Sequence, residues 1–293
     1  MSAHLKQISA LHIWKSDIDI IPAVGGITNQ NYIASDCGRK YFVRIGVDIP
    51  EHGIKRFNEL AASRAASTIG LSPEVIHAEP GIMVLQYIDA TPLTAKDIRQ
   101  ADHLSEIIDL IKRCHQDIPR VYRGPALVFW VFQVLRDYTL TLLEGQSSWL
   151  PKLDGLKHIA QHLENDVGEI ELAFGHNDLL AANFLNDGQR IWLIDWDYAG
   201  FNSPLFDLGG LASNNNFSPD EEIFLLHRYY GSIPDAKLIK KYSAMKCASL
   251  LREVMWSMVS EIHSNIEFDY ATYTKENMAL FETAWETHQL KWY

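Results

Sequence analysis

Apolar and polar positions alternate along the first third of the chain and recur every three or four residues over the rest. Residues 1–16 read as a short helical lead-in. Ile18-Asp19-Ile20-Ile21-Pro22 alternates as a strand does, and Tyr32-Ile33-Ala34 and Lys40-Tyr41-Phe42-Val43-Arg44-Ile45 follow as two more. A glycine-rich turn, Gly25-Gly26-Ile27-Thr28-Asn29-Gln30-Asn31, joins the first pair, and Asp36-Cys37-Gly38 the second. Ile54, Phe57, Ala61 and Ala65 are spaced for a helix over 54–69, which Gly70 ends as a C-cap, with Pro73 beyond it. Residues 74–77 and 82–88 form two further strands around Pro80-Gly81. From there the period turns helical. Helices are expected over 95–115, 128–143, 153–167, 219–230 and 235–262, with another opening at Ser203-Pro204. Strands first and helices afterwards predict an α+β arrangement, divided into residues 1–88 and 89–293 by a hinge at about 86–92.

Polar residues interrupt this pattern at one place in a way that carries chemistry. Phe174-Gly175-His176-Asn177-Asp178-Leu179-Leu180-Ala181-Ala182-Asn183-Phe184-Leu185 is followed by Ile191-Trp192-Leu193-Ile194-Asp195-Trp196-Asp197. Asp and Asn also favour turns. Three polar side chains set among otherwise apolar strands, which exclude uncompensated charge, point to a site instead. His-x-Asp, four residues, Asn, and a later Asp is the layout of kinase-type phosphoryl transfer. A hydroxyl attacking a γ-phosphate needs a carboxylate to orient it and take its proton, which suits Asp178. Mg²⁺ is a hard ion that takes oxygen ligands, which suits Asn183 and Asp195. Asp197 lies two positions beyond Asp195, hence on the same side of an extended segment, and is a candidate substrate-binding residue.

The upstream segment supplies partners for a nucleotide. Gly25 and Gly26 let backbone N–H groups approach phosphate oxygens with no Cβ in the way. Arg44 brings a cation on the strand that follows, and Glu59, on the first long helix, is placed to pair with it as in kinase architectures. Backbone groups around Gln86, Tyr87 and Ile88 would meet an adenine edge in an apolar cleft.

The quoted segments resemble the choline/ethanolamine kinase and aminoglycoside phosphotransferase superfamily. Ile194-Asp195-Trp196-Asp197-Tyr198-Ala199-Gly200-Phe201-Asn202-Ser203-Pro204-Leu205-Phe206-Asp207-Leu208-Gly209 looks more like the choline kinase branch than the antibiotic branch. The resemblance runs from about Gly25 to Trp256. It implies a bilobal, protein-kinase-like fold with a small N-terminal lobe of antiparallel sheet plus helix and a larger, mostly helical C-terminal lobe. It also implies ATP and Mg²⁺. In such proteins the loop holding Gly25, Gly26, Thr28 and Asn29 covers the nucleotide, Arg44 meets its phosphates, and Asp207 braces the catalytic loop.

For the acceptor the resemblance implies a cationic amino-alcohol, choline or ethanolamine. Trp256 is the aromatic candidate for a cation–π contact, and Glu253, three residues earlier on the same helical face, the candidate counter-charge. The chain departs from the eukaryotic choline kinase pattern, which has a second Trp where Glu253 stands. It also has Asn214-Asn215-Asn216-Phe217 where that pattern has an acidic residue and a tyrosine. Alternative acceptors are thiamine, an aminoglycoside, a hydroxy amino acid or a sugar amine. Glu276, Glu282 and Glu286 are suggestive of the aminoglycoside. A non-catalytic ATP-binding regulator is the rival of another class, and the presence of Asp178, Asn183 and Asp195 argues against it.

Composition narrows the partners. A net charge of −11 argues against nucleic acid or an anionic membrane. The longest apolar stretch, 126–132, is too short to span a bilayer. Cys37, Cys114 and Cys247 have neither zinc nor redox spacing, and no His pair has ligand spacing. The expectation is a reduced, cytoplasmic enzyme acting on a small molecule, with a homodimer as a candidate assembly.

Overall fold

A computed structural model describes residues 3–23 and 29–293. Gly25, Gly26 and Thr28 lie outside the described residues. Helix α1 (Ala3–Ser9) leads into strands β1 (Asp19–Pro22), β2 (Gln30–Asp36) and β3 (Arg39–Ile45), then α2 (Arg56–Thr68), β4 (Val75–Glu79) and β5 (Ile82–Gln86). The five strands form an antiparallel sheet in the order β1-β2-β3-β5-β4. The pleat sorts the side chains of β3. Val43 and Ile45 turn to one face, where Ile8, Ala34, Ile82 and Val84 close a small core. Arg44, between them, turns to the other face, where α2 lies.

The remainder is helical with short strand pairs. It comprises β6 (Thr91–Pro92), α3 (Ala95–Ile98), α4 (Ala101–Val121), α5 (Val131–Glu144) and α6 (Leu150–Val167). Next come β7 (Ala173–Gly175), β8 (Phe184–Asn186), β9 (Ile191–Leu193) and β10 (Gly200–Asn202). The helices α7 (Pro204–Asn214), α8 (Pro219–Tyr230), α9 (Ala236–His263) and α10 (Tyr270–Trp292) complete the chain. Helix α9 is the spine, with Leu251, Val254, Met255 and Met258 buried in the large core. At Gly209 a Cβ would lie 2.9 Å from the Lys246 backbone, so glycine lets α7 and α9 approach.

The architecture is a small sheet-plus-helix lobe and a larger helical lobe. The helix expected over 95–115 is two helices. Thr94 and Asp97 form a reciprocal capping box that starts α3, and Arg99 and Gln100 break the run before α4 begins.

Candidate active site

Strand β7 ends at Gly175, and the chain leaves the sheet through His176-Asn177-Asp178. Asn177 has φ 64°, in the left-handed region that an L side chain rarely adopts. The surroundings force it. Asn177 Nδ2 donates to the Tyr198 and Gly200 carbonyls at 2.9 and 3.2 Å, and its Oδ1 accepts from Asn202 Nδ2 at 3.1 Å. Asp207, 2 % exposed, accepts the backbone N–H groups of His176 and Asn177 at 2.8 and 2.7 Å. A Cβ at Gly175 would lie 2.8 Å from Asn177 Oδ1, so only glycine fits there. His176 is fully buried and donates through Nε2 to the Ile194 carbonyl at 2.9 Å, tying the loop to the end of β9.

These contacts aim three side chains into one cleft. Asn183 Nδ2 donates to the Asp178 carbonyl at 2.9 Å, which leaves Oδ1 as the acceptor. The Asn183 carbonyl accepts Ile194 N–H at 3.0 Å, fixing Asn183 beside Asp195. Asp195 is itself left-handed, with φ 70°. Asp195 and Asp197 therefore meet on one side through a turn rather than through strand alternation. Both reach Arg44 Nη1, at 2.9 and 3.3 Å.

Arg44 also meets Glu59 at 2.6 Å, so the strand–helix pair is formed. Arg56, at the start of α2, adds contacts of 2.6 Å to Glu59 and 2.8 Å to Asp197. Asn29 Nδ2 donates to Asp197 Oδ2 at 3.0 Å. Asp197 is thus 5 % exposed and held by two guanidiniums and an amide. Burial and the adjacent Asp195 carboxylate push its pKa up to about 7. Burial acts on Asp195 in the same direction, but Arg44 overrides it and holds that group below the usual carboxylate range.

The cleft has a volume of about 620 Å³ and is lined mostly by apolar atoms. Gln86, Tyr87 and Ile88 line it with Ile33, Phe42 and Leu185. Asp178, Tyr198, Arg252, Glu253, Trp256 and Tyr273 line it as well. Burial pushes the Asp178 carboxyl up to about 7, with Arg252 opposing and Glu253 adding to the rise. A carboxylate poised there can accept a proton near neutral pH. Trp256 is 4 % exposed; its Nε1 donates to the Tyr198 hydroxyl at 2.9 Å, so it both packs the core and borders the cleft. Glu253 is not an isolated counter-charge. Its Oε2 meets Arg252 at 2.9 Å, and its Oε1 accepts from the Tyr273 hydroxyl at 2.7 Å.

Among the described residues, no group of three His, Cys, Asp or Glu could hold a metal unaided. Mg²⁺ does not require one, because one or two side-chain oxygens suffice when phosphates and water complete the octahedron. Asn183 Oδ1 and the Asp195 carboxylate are such oxygens, set beside a cluster whose carboxylates outnumber its guanidiniums. The donor set fits the ion.

Arg56, Tyr198, Arg252 and Tyr273 were not singled out from the sequence as site residues. Arg252 had a signal: a charged residue between Leu250-Leu251 and Val254-Met255-Trp256 must be buried and therefore partnered. Glu276, Glu282 and Glu286 lie exposed on α10.

A two-lobed fold with an Asp, Asn and Asp gathered under a strand-borne arginine defines a kinase-like phosphotransferase. The choline/ethanolamine kinase family model matches residues 20–221, and the chain belongs to that family. Protein LicA of Haemophilus influenzae is 28% identical over 264 residues, covering 85% of this chain and 76% of its own. A probable ethanolamine kinase of Arabidopsis thaliana is 28% identical over 283 residues, covering 85% and 75%. The crystal structure of a choline/ethanolamine kinase family protein from Mesorhizobium loti superposes with a TM-score of 0.79 at 24% identity, covering 98% of this chain and 96% of that one. The fold is also that of spectinomycin phosphotransferase, with a TM-score of 0.67 at 16% identity over 97% and 98% of the two chains. The protein is a phosphotransferase acting on an alcohol. No described helix is long and apolar enough to cross a membrane.

Proposed function

We propose that the protein transfers the γ-phosphate of ATP to the hydroxyl of a small amino-alcohol, choline or ethanolamine. The observation that carries this reading is the single cleft that holds Asp178, Asn183 and Asp195 between Gln86–Ile88 and Trp256–Tyr273. The adenine lies against the inter-lobe segment, and the phosphates run toward Arg44 and the loop that includes Gly25, Gly26, Thr28 and Asn29. Residues 1–88 and 89–293 act as the two lobes, with a hinge at about 86–92. Asn183 and Asp195 would hold Mg²⁺, which supplies charge neutralisation to the phosphates. Asp178 orients the acceptor hydroxyl and takes its proton as the oxygen bonds to phosphorus and ADP leaves. The ammonium of the acceptor rests against Trp256 and Tyr273. A cytoplasmic setting goes with this reading, supported by three unpaired cysteines.

The test is phosphate transfer from ATP, with Mg²⁺, to a panel of choline, ethanolamine, thiamine, an aminoglycoside and a hydroxy amino acid. Transfer to choline or ethanolamine with the highest kcat/KM is expected. Transfer to none of the panel would overturn the reading in favour of a nucleotide-binding regulator. Asp178→Ala should abolish turnover and leave ATP binding within a fewfold of the parent, because Asp178 serves the acceptor.

A further inference from the structure

The acceptor end holds a charge that the transfer reaction itself does not require. Arg252 is 4 % exposed, sits on α9 and borders the cleft. Its Nη1 lies 2.9 Å from Glu253 and 3.8 Å from Asp178. Its guanidinium stacks 4.2 Å from the centre of the Tyr198 ring and 5.9 Å from that of Phe129. Nε and Nη2 are fully buried, and the Tyr138 hydroxyl lies against the guanidinium. Buried in this way, they cannot donate to a bound acceptor, and Nη1 is engaged by Glu253, so the guanidinium acts as a fixed positive charge rather than as a ligand.

The acidic groups that line the cleft are already taken. Asp195 is paired with Arg44, Asp197 with Arg44 and Arg56, and Glu253 with Arg252 and Tyr273. Among the described cleft residues, Asp178 is the carboxylate with no cation closer than 3.8 Å. The acceptor end therefore offers net compensation for one positive charge. A second ammonium on a short acceptor whose hydroxyl lies at Asp178 would come near Arg252, in a poorly screened site where like charges repel strongly.

We propose that Arg252 is a specificity-determining residue that holds the acceptor pocket to alcohols carrying one positive charge and rejects those carrying two or more. Rejection is built in as a like charge beside the reacting group, not as a missing attraction. The proposal rests on the placement of the acceptor hydroxyl at Asp178.

The experiment compares two ligands that differ by one ammonium, 1-aminopropan-2-ol and 1,3-diaminopropan-2-ol. Binding is read by calorimetry at neutral pH, independently of turnover. The wild type should bind the monoamine about tenfold more tightly or better. Arg252→Met frees the Glu253 carboxylate and should move the ratio about tenfold or more toward the diamine. Arg252→Lys keeps the charge and should retain the wild-type preference. Equal binding of the two amines by the wild type, or a ratio in folded Arg252→Met within twofold of wild type, would overturn the proposal. Should Arg252→Met not fold, Glu253→Gln decides. It leaves Arg252 uncompensated and should widen the preference for the monoamine, and an unchanged ratio counts against the idea. A protein that discriminates between the amines yet phosphorylates no alcohol would refute the kinase reading and leave the charge filter standing.

Discussion

Asp207→Asn tests whether the catalytic loop is held from behind. The carboxylate is 2 % exposed and accepts His176 N–H at 2.8 Å and Asn177 N–H at 2.7 Å, with His115 Nε2 at 2.9 Å. Burial opposes its charge, but these donors, His115 foremost, hold its pKa below the ordinary value. Asparagine keeps the shape and one acceptor oxygen. Its NH₂ group must then face a backbone N–H, which leaves at least one buried donor unmet at roughly 1–3 kcal/mol. Loss of the charge-assisted contacts brings the total to roughly 3–5 kcal/mol, the range for breaking a buried charged pair. For a chain of this size that corresponds to a fall in Tm of roughly 5–8 °C. Asn177, at φ 64°, is held both through its side chain and by Asp207, and loosening the second hold lets the neighbouring Asp178 shift. kcat should fall at least tenfold while KM for ATP changes little. Calorimetric scanning and steady-state kinetics read the two effects. A variant within about 2 °C and twofold of wild type would show that the loop holds itself and that the bracing argument is wrong.

Three further outcomes are expected. Trp256→Leu removes the aromatic face and should raise KM for a cationic acceptor roughly 2- to 30-fold, the equivalent of about 0.5–2 kcal/mol, with KM for ATP unchanged. Because burial sets the Asp178 pKa at about 7, kcat/KM for the acceptor should rise with pH through that value; a profile flat between about pH 6 and 8 would exclude Asp178 as the titrating base. His52, wedged between Tyr138, Ser260 and Trp256, has its pKa lowered to about 3 by burial and by Arg252. Its depressed pKa makes the unfolded chain bind the extra proton below about pH 6.5, so stability is complete above that pH and lost as pH falls. At about pH 5 the loss is roughly 2 kcal/mol. His52→Gln should flatten that part of the pH–Tm curve, and parallel curves for the two proteins would refute the assignment.

The chemical residues were legible in the sequence where charge broke an apolar pattern at a fixed spacing. Asp178, Asn183 and Asp195 are of this kind, and Arg44 with Glu59 followed from the strand and the helix that carry them. Residues whose role depends on contacts between distant elements were not legible. Glu253 read as a counter-charge because it shares a helical face with Trp256, yet Arg252 beside it and Tyr273 from α10 already occupy it. Arg56 opens α2 as an ordinary surface residue would, and only the approach of Asp197 across the cleft gives it a partner. The break between α3 and α4 was legible and missed. Thr94-Ala95-Lys96-Asp97 is a capping signature that should have outweighed the helical period on either side.

Local charge explains the site better than the total of −11 does. At the nucleotide end, Glu59, Asp195 and Asp197 face Arg44 and Arg56, which leaves one carboxylate in excess. At the acceptor end, Asp178 and Glu253 face Arg252, again with one in excess. An excess carboxylate in a buried cluster is costly unless a cation arrives, so each end is built to be completed by its ligand. The first excess supports the reading that a divalent ion joins Asn183 and Asp195. The second supports a monovalent ammonium that brings the hydroxyl to Asp178. Removing Arg252, or one of Arg44 and Arg56, should change which cation that end accepts, and not merely how tightly it binds.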